Sequence, residues 1–303
     1  MPSEAPQLAP GLYLVATPIG NLGDITLRAL DVLRRVDRIA CEDTRQTQKL
    51  LNHFEIATPT VSCHEHNERA RAAELIAEIE RGAAIALVSD AGTPAISDPG
   101  GQLVRAALAS GVPVVPIPGA NAALGALVAS GLPAASFHFF GFLPEKAGAR
   151  RSFLEELAAS AQADARKPAP TLIFYEAPHR ILDTLADMEE IFGGLLHAVV
   201  ARELTKIHEE FLRGTLAEVR RELAARERVR GEMVLLVESP RPQPSVPAPG
   251  AESASEKIAG RVARLVAEAG IDEKEALKRL ARELGRSKSD LYRELQRERA
   301  RRR

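Results

Sequence analysis

The sequence predicts an α/β protein with two α/β domains and a small C-terminal helical domain. Short apolar runs alternate with helical patterns through most of the 303 residues. A proline-rich segment then interrupts this alternation, and a charged helical tail follows it. Strands that alternate with helices are typical of mostly parallel sheets covered by helices.

The first domain is predicted over residues 11–133. Leucines and a valine recur at helical spacing in ITLRALDVLRRV, and the patterns AELIAEIE and QLVRAALAS indicate further helices. Four apolar runs around these patterns read as buried strands, namely LYLVAT (12–17), RIAC (38–41), AIALV (84–88) and VPVVPI (112–117).

The second domain is predicted over residues 134–238, with a boundary near Gly131 to Ser136. Its apolar runs are again short enough for strands, and helices are expected between them. The predicted strands are FHFFGF (137–142), TLIFYEA (171–177), HAVVARE (197–203) and EMVLLVE (232–238).

A linker is predicted over residues 239–255, where five prolines fall within eleven residues. Residues 256–303 then carry 15 Lys and Arg against 9 Asp and Glu, a net charge of +6, whereas the rest of the chain carries −7. The tail also reads as helix, glycine turn, helix, with Gly285 as the turn and Ser287 or Ser289 as the cap. This pattern predicts a helix-turn-helix-like domain that binds nucleic acid.

Composition excludes several classes of protein. No run of 18 apolar residues indicates a membrane span, and the N-terminus lacks the pattern of a secretory signal. The two cysteines, Cys41 and Cys63, favour a reducing compartment over a disulfide framework. We therefore expect a cytoplasmic protein that does not contact membranes.

The ends of the first four predicted strands carry small, backbone-exposing residues: ATPIGNLGD, CEDTR, SDAGTPAISDPG and PIPGANA. Ligands of parallel sheets collect at these ends. Neither the Walker loop nor the G-x-G-x-x-G spacing of dinucleotide folds occurs. Asp90 and Asp98 would repel phosphates, so a nucleoside that carries an amino acid fits better than a nucleotide.

Seven motifs together resemble the tetrapyrrole methylase-like superfamily, and within it the branch that methylates ribosomal RNA. They are LYLVATPIGNLGDIT, ACEDTR, SDAGTPAISDPG, PIPGANA, FLPEK, FYEAPHR and RELTK, and they occur in the family's order over about residues 12–238. The tetrapyrrole enzymes have an extra glycine in the first loop, where this chain has ATPIGN. The ribosomal RNA branch also lacks this glycine.

The resemblance implies S-adenosylmethionine-dependent methylation of the ribose 2′-hydroxyl of a cytidine in the decoding centre of 16S ribosomal RNA. It also implies a homodimer whose cofactor lies in the cleft between two α/β domains. The implied partner is the small-subunit RNA or the assembled 30S subunit. Carried over by motif, the cofactor contacts are Pro18, Ile19, Gly20, Asp90, Gly92, Thr93, Asn121, Ala122, Tyr175, Arg202 and Met233. The segment SDPG (97–100) is expected to shape the substrate mouth.

Three residues are candidates for catalysis. A base that removes the hydroxyl proton would speed the reaction by about 10²–10⁴-fold. Asp43 and Glu176, both at strand ends, are the first candidates for this base, and Lys206 could stabilise the developing alkoxide. Asp43 could equally cap the helix that follows it, and Glu176 could pair with Arg180.

RNA contacts are expected from Arg45, His64, His179 and Arg180. The segment CHEHNERAR (63–71) favours RNA recognition over metal binding, because metal ligation would need a fourth ligand. No metal is therefore expected.

Two other functions stay open at this point. One is a methyltransferase for a tetrapyrrole or a protein side chain on the same scaffold. The other is a ligand-sensing regulator with a helix-turn-helix output domain. The basic tail argues against a small substrate, and several ligand loops argue against a sensor.

Overall fold

The computed structural model describes residues 8–163, 169–240, 262, 265–266, 270–283 and 291–296. The chain forms two compact units, Met1–Arg241 and Pro242–Arg303. The first unit contains two sheets with their helices, and the second contains only helices among its described residues.

The first sheet is fully parallel, with strand order β3-β2-β4-β1-β5. Alternate residues of its strands enter opposite apolar clusters, as Leu12 and Tyr13 of β1 do. Burial of both faces explains why the central strands of this sheet are mostly apolar. Its strands are β1 (Gly11–Val15), β2 (Arg38–Cys41), β3 (Thr60–Ser62), β4 (Ala84–Val88) and β5 (Val114–Ile117).

Four helices cover this sheet, and we call the sheet and these helices the first lobe. Side chains of the preceding residues cap two of the helices: Thr26 accepts from the Ala29 amide and Asp43 from the Arg45 amide. The helices are α1 (Leu27–Arg35), α2 (Thr44–His53), α3 (Glu68–Glu80) and α4 (Gly101–Ala109).

The second sheet is mixed, with strand order β6-β7-β10-β8-β9. β6 runs parallel to β7, whereas the other pairs are antiparallel. Strand β9 was not predicted; it lies between β8 and the helix that the sequence predicts before β10. The strands are β6 (Phe137–Phe142), β7 (Thr171–Glu176), β8 (His197–Arg202), β9 (Glu210–Thr215) and β10 (Met233–Glu238).

The helices of this second lobe are α5 (Ala122–Ser130), α6 (Ala147–Ala163), α7 (Ile181–Phe192) and α8 (Leu216–Ala224). Although α5 follows the last strand of the first lobe, it packs on the second sheet. Its Ala123, Ala126 and Leu127 share an apolar cluster with Ile173 and Val234. The chain thus changes lobe right after β5, and the domain boundary between residues 133 and 134 stays a prediction.

The second unit has helix α9 (Glu273–Glu283) and helical residues 291–296. Ala276, Leu277, Leu280, Leu291 and Leu295 form a small apolar core. The predicted turn at Gly285, its capping serines and residues 241–255 of the linker lie outside the described residues. Within the described ranges, no helix has both the length and the apolar character that a membrane crossing requires.

Candidate active site

A cavity of about 300 Å³ lies between the two lobes, at the lower end of the range for small-molecule sites. The carboxyl ends of β1, β4 and β5 form one wall, and β6, β7 and β10 contribute to the other. The first wall consists of Ile19, Ala91, Gly92, Thr93, Ile96, Ser97, Asp98, Asn121 and Ala122. The second consists of Phe142, Tyr175, Glu176, Ala177, Pro178, Ala201, Leu204, Glu232, Met233 and Val234.

Backbone hydrogen bonds tie the loops of the first wall together. Thr17 and Gly92 exchange two such bonds, with N···O distances of 2.8 and 3.1 Å. Gly92 has φ +80°, which glycine tolerates at low cost. The Thr93 hydroxyl donates to the Ala120 carbonyl at 3.3 Å. The three loops therefore present a fixed edge of backbone groups to the cavity.

Seven of the eleven residues predicted to contact the cofactor line this cavity. They are Ile19, Gly92, Thr93, Asn121, Ala122, Tyr175 and Met233. Asn121 also caps α5 by accepting from the Leu124 amide at 3.0 Å.

The other four predicted cofactor residues do not line the cavity. Pro18 is buried, and Gly20 lies against the side chain of Lys206. Asp90 accepts a hydrogen bond from the Asp43 amide at 3.2 Å. The Arg202 guanidinium pairs with the Glu210 carboxylate of the neighbouring strand at 2.8 Å.

The candidate bases Asp43 and Glu176 are both held by neighbouring groups. Asp43 accepts from the Arg45 amide at 2.8 Å and from its guanidinium at 2.7 and 3.0 Å. These bonds lower the pKa of Asp43 to about 2. Glu176 lines the cavity, but its carboxylate accepts from the Thr184 hydroxyl at 2.6 Å and pairs with Arg180 at 3.1 Å. Both carboxylates thus have structural partners.

Lys206 bridges two carboxylates. Its Nζ lies 2.9 Å from Glu203 and 2.9 Å from Glu232, and Glu232 lines the cavity. Burial by itself lowers the pKa of Lys206, but the hydrogen bonds to Glu232 and Glu203 outweigh it and raise the pKa. Lys206 is therefore a cation at neutral pH, and it reaches the cavity only through Glu232.

The four predicted RNA contacts differ in how available they are. The Arg45 side chain is 87% exposed although it pairs with Asp43, and His179 is exposed. His64 is half-buried, and its Nδ1 has no hydrogen-bond partner among the described residues. Arg180 donates to the Leu143 carbonyl at 2.7 Å and pairs with Glu176, so its guanidinium is engaged within the protein.

The residues that line the cavity include three carboxylates and no lysine, arginine or histidine. Asp98 is one of them. Burial and the nearby charges of Glu42 and Asp90 raise its pKa to about 6, although a hydrogen bond from Ser89 acts in the opposite direction. Burial also raises the pKa of the Tyr175 hydroxyl, so this group stays neutral at physiological pH. Because Arg180 and Lys206 neutralise Glu176 and Glu232, the net charge of this wall is small and negative, and its lining residues offer no cation that would bind phosphates.

Sequence reasoning did not assign several cavity residues to the cofactor site, among them Ile96, Phe142, Ala201 and Glu232. They follow or belong to elements whose ends were recognised, but only the packing of the two lobes shows which side chains face the cleft. In the described part of the chain, no three His, Cys, Asp or Glu side chains are arranged to hold a metal ion.

Comparisons with known proteins agree with this architecture. Residues 11–220 match the model of the family "Tetrapyrrole (Corrin/Porphyrin) Methylases". The chain is 51% identical over 282 residues to the "Ribosomal RNA small subunit methyltransferase I" of Halalkalibacterium halodurans, covering 93% of each chain. It is 54% identical over 233 residues to the protein of that name from Vibrio cholerae, covering 77% of this chain and 78% of the relative.

Solved structures resemble the fold at low sequence identity. A cobalt precorrin-4 methyltransferase superposes with a TM-score of 0.54 at 15% identity, over 74% of this chain and 93% of that one. A Thermus thermophilus uroporphyrin-III C-methyltransferase complexed with S-adenosyl homocysteine superposes with a TM-score of 0.50 at 18% identity, over 75% and 96% of the two chains. The chain therefore belongs to the tetrapyrrole methylase family and, within it, to the group of ribosomal RNA small subunit methyltransferase I proteins.

Proposed function

We propose that this chain transfers a methyl group from S-adenosylmethionine to the ribose 2′-hydroxyl of a cytidine in the decoding centre of 16S ribosomal RNA. The observation that carries the proposal is the cavity between the lobes, whose wall has three carboxylates and no cationic side chain. S-adenosylmethionine carries a sulfonium and an ammonium group, so it suits a wall of this charge. The names of the relatives that are about half identical over most of the chain support a ribosomal RNA substrate.

The cavity residues fit such a cofactor in kind as well as in charge. Gly92 has no side chain and so lets a ligand approach the fixed backbone of the first wall closely, and Ile19 and Met233 offer apolar surface from opposite walls. The structure of the related uroporphyrin methyltransferase was solved with S-adenosyl homocysteine, which supports a cofactor of this class in the fold. When bound, S-adenosylmethionine supplies an activated methyl group.

The protein's part in the reaction is to bind, orient and exclude water. Correct orientation of two reactants contributes up to about 7–11 kcal/mol to lowering a barrier. The bonds between Thr17 and Gly92, and between Thr93 and Ala120, fix the first wall, while the pairs of Glu176 and Lys206 fix the second. These contacts hold both walls in position around the cavity.

Methyl transfer to isolated subunits tests the proposed function. The purified chain is incubated with radiolabelled S-adenosylmethionine and small ribosomal subunits from cells that lack the gene. We expect label in one alkali-resistant linkage, because a methylated 2′-hydroxyl cannot assist cleavage of the adjacent phosphodiester. Label in a base or in protein would overturn the ribose assignment, and no incorporation despite cofactor binding would favour a small substrate.

We further infer that the basic tail, residues 256–303, binds the RNA. Its net charge of +6 supports contact with phosphates, which makes affinity fall steeply with salt. Removal of these residues should weaken binding to small subunits and reduce the slope of log affinity against log salt concentration. An unchanged slope in the truncated protein would rule out this role.

A homodimer is also part of the proposal. No Asp, Glu, Lys or Arg occurs between Asn121 and Glu145, and on α5 the side chains of Leu124 and Val128 are exposed by 47% and 78%. Apolar residues four positions apart lie on one helix face, and exposed apolar surface marks interaction sites. Light scattering should give twice the monomer mass for the wild type and a smaller mass for Val128→Glu. A wild-type monomer would contradict the dimer.

We also propose that the protein is cytoplasmic, which cell fractionation tests.

A further inference from the structure

The loop between β4 and α4 holds Asp98 at the cavity by an unusual backbone path. Ala95 and Ser97 have φ of +66° and +60°, in the left-handed region that residues other than glycine rarely adopt. Residues persist in such conformations only where the surrounding structure fixes them, and they concentrate at functional sites.

Contacts on both sides of Asp98 provide this fixation. After it, the buried Glu68 carboxylate accepts hydrogen bonds from the amides of Gly100 at 3.1 Å, Gln102 at 2.6 Å and Leu103 at 3.0 Å. Before it, Ser97 lies against Gly141 of β6, where a Cβ would come within 2.8 Å of the Ser97 hydroxyl. The loop is thus anchored to α3 on one side and closely packed against the second lobe on the other.

Asp98 differs from the other two carboxylates of the cavity wall. Glu176 pairs with Arg180, and Glu232 pairs with Lys206. No lysine or arginine in the described ranges forms an ion pair with Asp98. Its carboxylate therefore keeps the capacity to accept a proton.

The groups around Asp98 are mostly acidic or neutral. Glu42 at the end of β2 and Asp90 at the end of β4 act on it as negative charges, and Ser89 hydrogen-bonds to it. Tyr175 of the second lobe is neutral and also lies near Asp98, because the charge of Asp98 contributes to the raised pKa of Tyr175. His64 partly offsets the negative charge at Glu42, whereas Asp43 and Glu65 add to it. This surrounding, together with burial, raises the pKa of Asp98 to about 6, which is close to the operating pH that favours a general base.

We propose that Asp98 is the general base that accepts the proton of the hydroxyl nucleophile. The assignment rests on the proposed methyl transfer to a ribose hydroxyl. The hydroxyl oxygen forms a bond to the methyl carbon while the carbon–sulfur bond breaks, and the electron pair of that bond stays on sulfur. The hydroxyl proton passes to the Asp98 carboxylate and then to water, so that no oxidant or further reactant is needed.

Asp98→Asn tests the proposal, because it keeps the size of the side chain and removes the base. At saturating cofactor and small subunits, we expect kcat to fall by about 10²-fold or more. The wild-type kcat/KM, which reports the ionisation of the free enzyme, should fall as the pH drops through about 6, and the residual kcat/KM of the variant should not follow this titration. Asp31→Asn, which removes an exposed carboxylate on α1, is the control and should keep the wild-type rate.

Two measurements on the cofactor-free and cofactor-bound protein separate this role from others. Carbon-detected NMR titration of the Asp98 carboxyl should give a pKa near 6 in the protein without cofactor. Calorimetry should show that S-adenosylmethionine still binds Asp98→Asn. A large loss of cofactor affinity with an unchanged kcat would make Asp98 a cofactor ligand and overturn the proposal, as would a titration near the ordinary value of aspartate.

The outcomes also distinguish this inference from the proposed function. A wild-type protein that labels an alkali-resistant linkage, together with a fully active Asp98→Asn, would overturn only the role of Asp98. A wild-type protein that labels no ribose would overturn the proposed function and the base with it.

Discussion

The two lobes differ in the groups that surround their carboxylates. In the first lobe, Asp98 and Glu42 lie near other acids, and burial raises the pKa of both. In the second lobe, Glu203 and Glu210 face Lys206, Arg202 and Arg226, and hydrogen bonds from these cations lower their pKa, that of Glu210 to about 2.

This contrast separates a carboxylate that can take part in the reaction from carboxylates that stabilise the fold. A paired carboxylate is stable as an anion but is a weak base, whereas an unpaired and partly buried one holds a proton near neutral pH. The parallel first sheet brings several loops to one edge and offers backbone groups and Asp98. The mixed second sheet offers side chains that ion pairs hold in place. The following variants test this division, beginning with the largest expected effect.

Breaking an ion pair of the second lobe should cost the most stability. Glu176→Ala leaves the Arg180 guanidinium, whose side chain is 13% exposed, without its carboxylate. Loss of one partner of a buried pair costs about 3–5 kcal/mol in the free energy of unfolding, which urea denaturation measures. The double variant Glu176→Ala/Arg180→Ala should recover part of this loss. Equal stability of Glu176→Ala and the wild type would show that the pair does not support the wall.

A clash between the lobes should have the next largest effect. Gly20 has φ +150°, and a Cβ there would lie 2.5 Å from Cγ of Lys206. Gly20→Ala should therefore lower the free energy of unfolding by about 1–3 kcal/mol and weaken cofactor binding in calorimetry. Gly82→Ala is the matched control, because Gly82 has φ +102° and open space around it. The same loss in both variants would mean that backbone strain alone, not the contact with Lys206, accounts for it.

The ionisation of Asp98 and that of Glu210 should change the free energy of unfolding in opposite directions as the pH rises. The folded protein raises the pKa of Asp98 from 3.8 to about 6, so ionisation costs stability as the pH rises through this window. The folded protein lowers the pKa of Glu210 from 4.5 to about 2. The Glu210 carboxylate therefore stabilises the fold fully above pH 4.5, and this stabilisation is lost as the pH falls toward 2.

Thermal unfolding of two variants measures this difference. After allowance for solvent screening, Asp98→Asn should be more stable than the wild type by about 1–2 kcal/mol near pH 8, and the gain should disappear near pH 4. Glu210→Gln should be less stable by about 1–2 kcal/mol near pH 7, and its deficit should shrink toward pH 2. A destabilised Asp98→Asn at high pH would contradict the contrast between the lobes.

The smallest effect is expected at Asp43. Asparagine caps helices about as well as aspartate, so Asp43→Asn should keep α2 intact, and loss of the solvent-screened pair with Arg45 should lower the unfolding midpoint only slightly. Because Asp43 does not line the cavity, the rate of methyl transfer should also stay close to that of the wild type. A rate loss as large as that expected for Asp98→Asn would indicate that Asp43 is the base.

The sequence was most informative where a strand is a short apolar run. The predicted bounds of β2, β4 and β6 match the structure, because each is a short apolar run between turn residues. The strands β3 and β9 were missed, since β3 has only three residues and β9 contains Glu210 and Arg213. Both lie at an edge of their sheet, where one side of the strand is unpaired and polar residues are tolerated.

For the site, the sequence indicated the right loops but not the direction of their side chains. Ile19 and Tyr175 face the cavity as expected, whereas Arg202, at a strand end of the same kind, pairs with Glu210. The motif SDPG predicted a part of the substrate mouth, but the distinct character of Asp98 depends on Glu42 and Asp90. These residues come together only in the folded sheet, so no local pattern could single out Asp98.

The packing of α5 has a practical consequence for dividing the protein into fragments. An N-terminal fragment that stops at residue 133 would carry α5 without the second sheet, and would leave Ala123, Ala126 and Leu127 in water. The complementary fragment would lack the helix that covers Ile173 and Val234. A cut between Ile117 and Asn121 keeps each apolar surface with its own cover, so it is the better place to separate the lobes for complementation or for circular permutation.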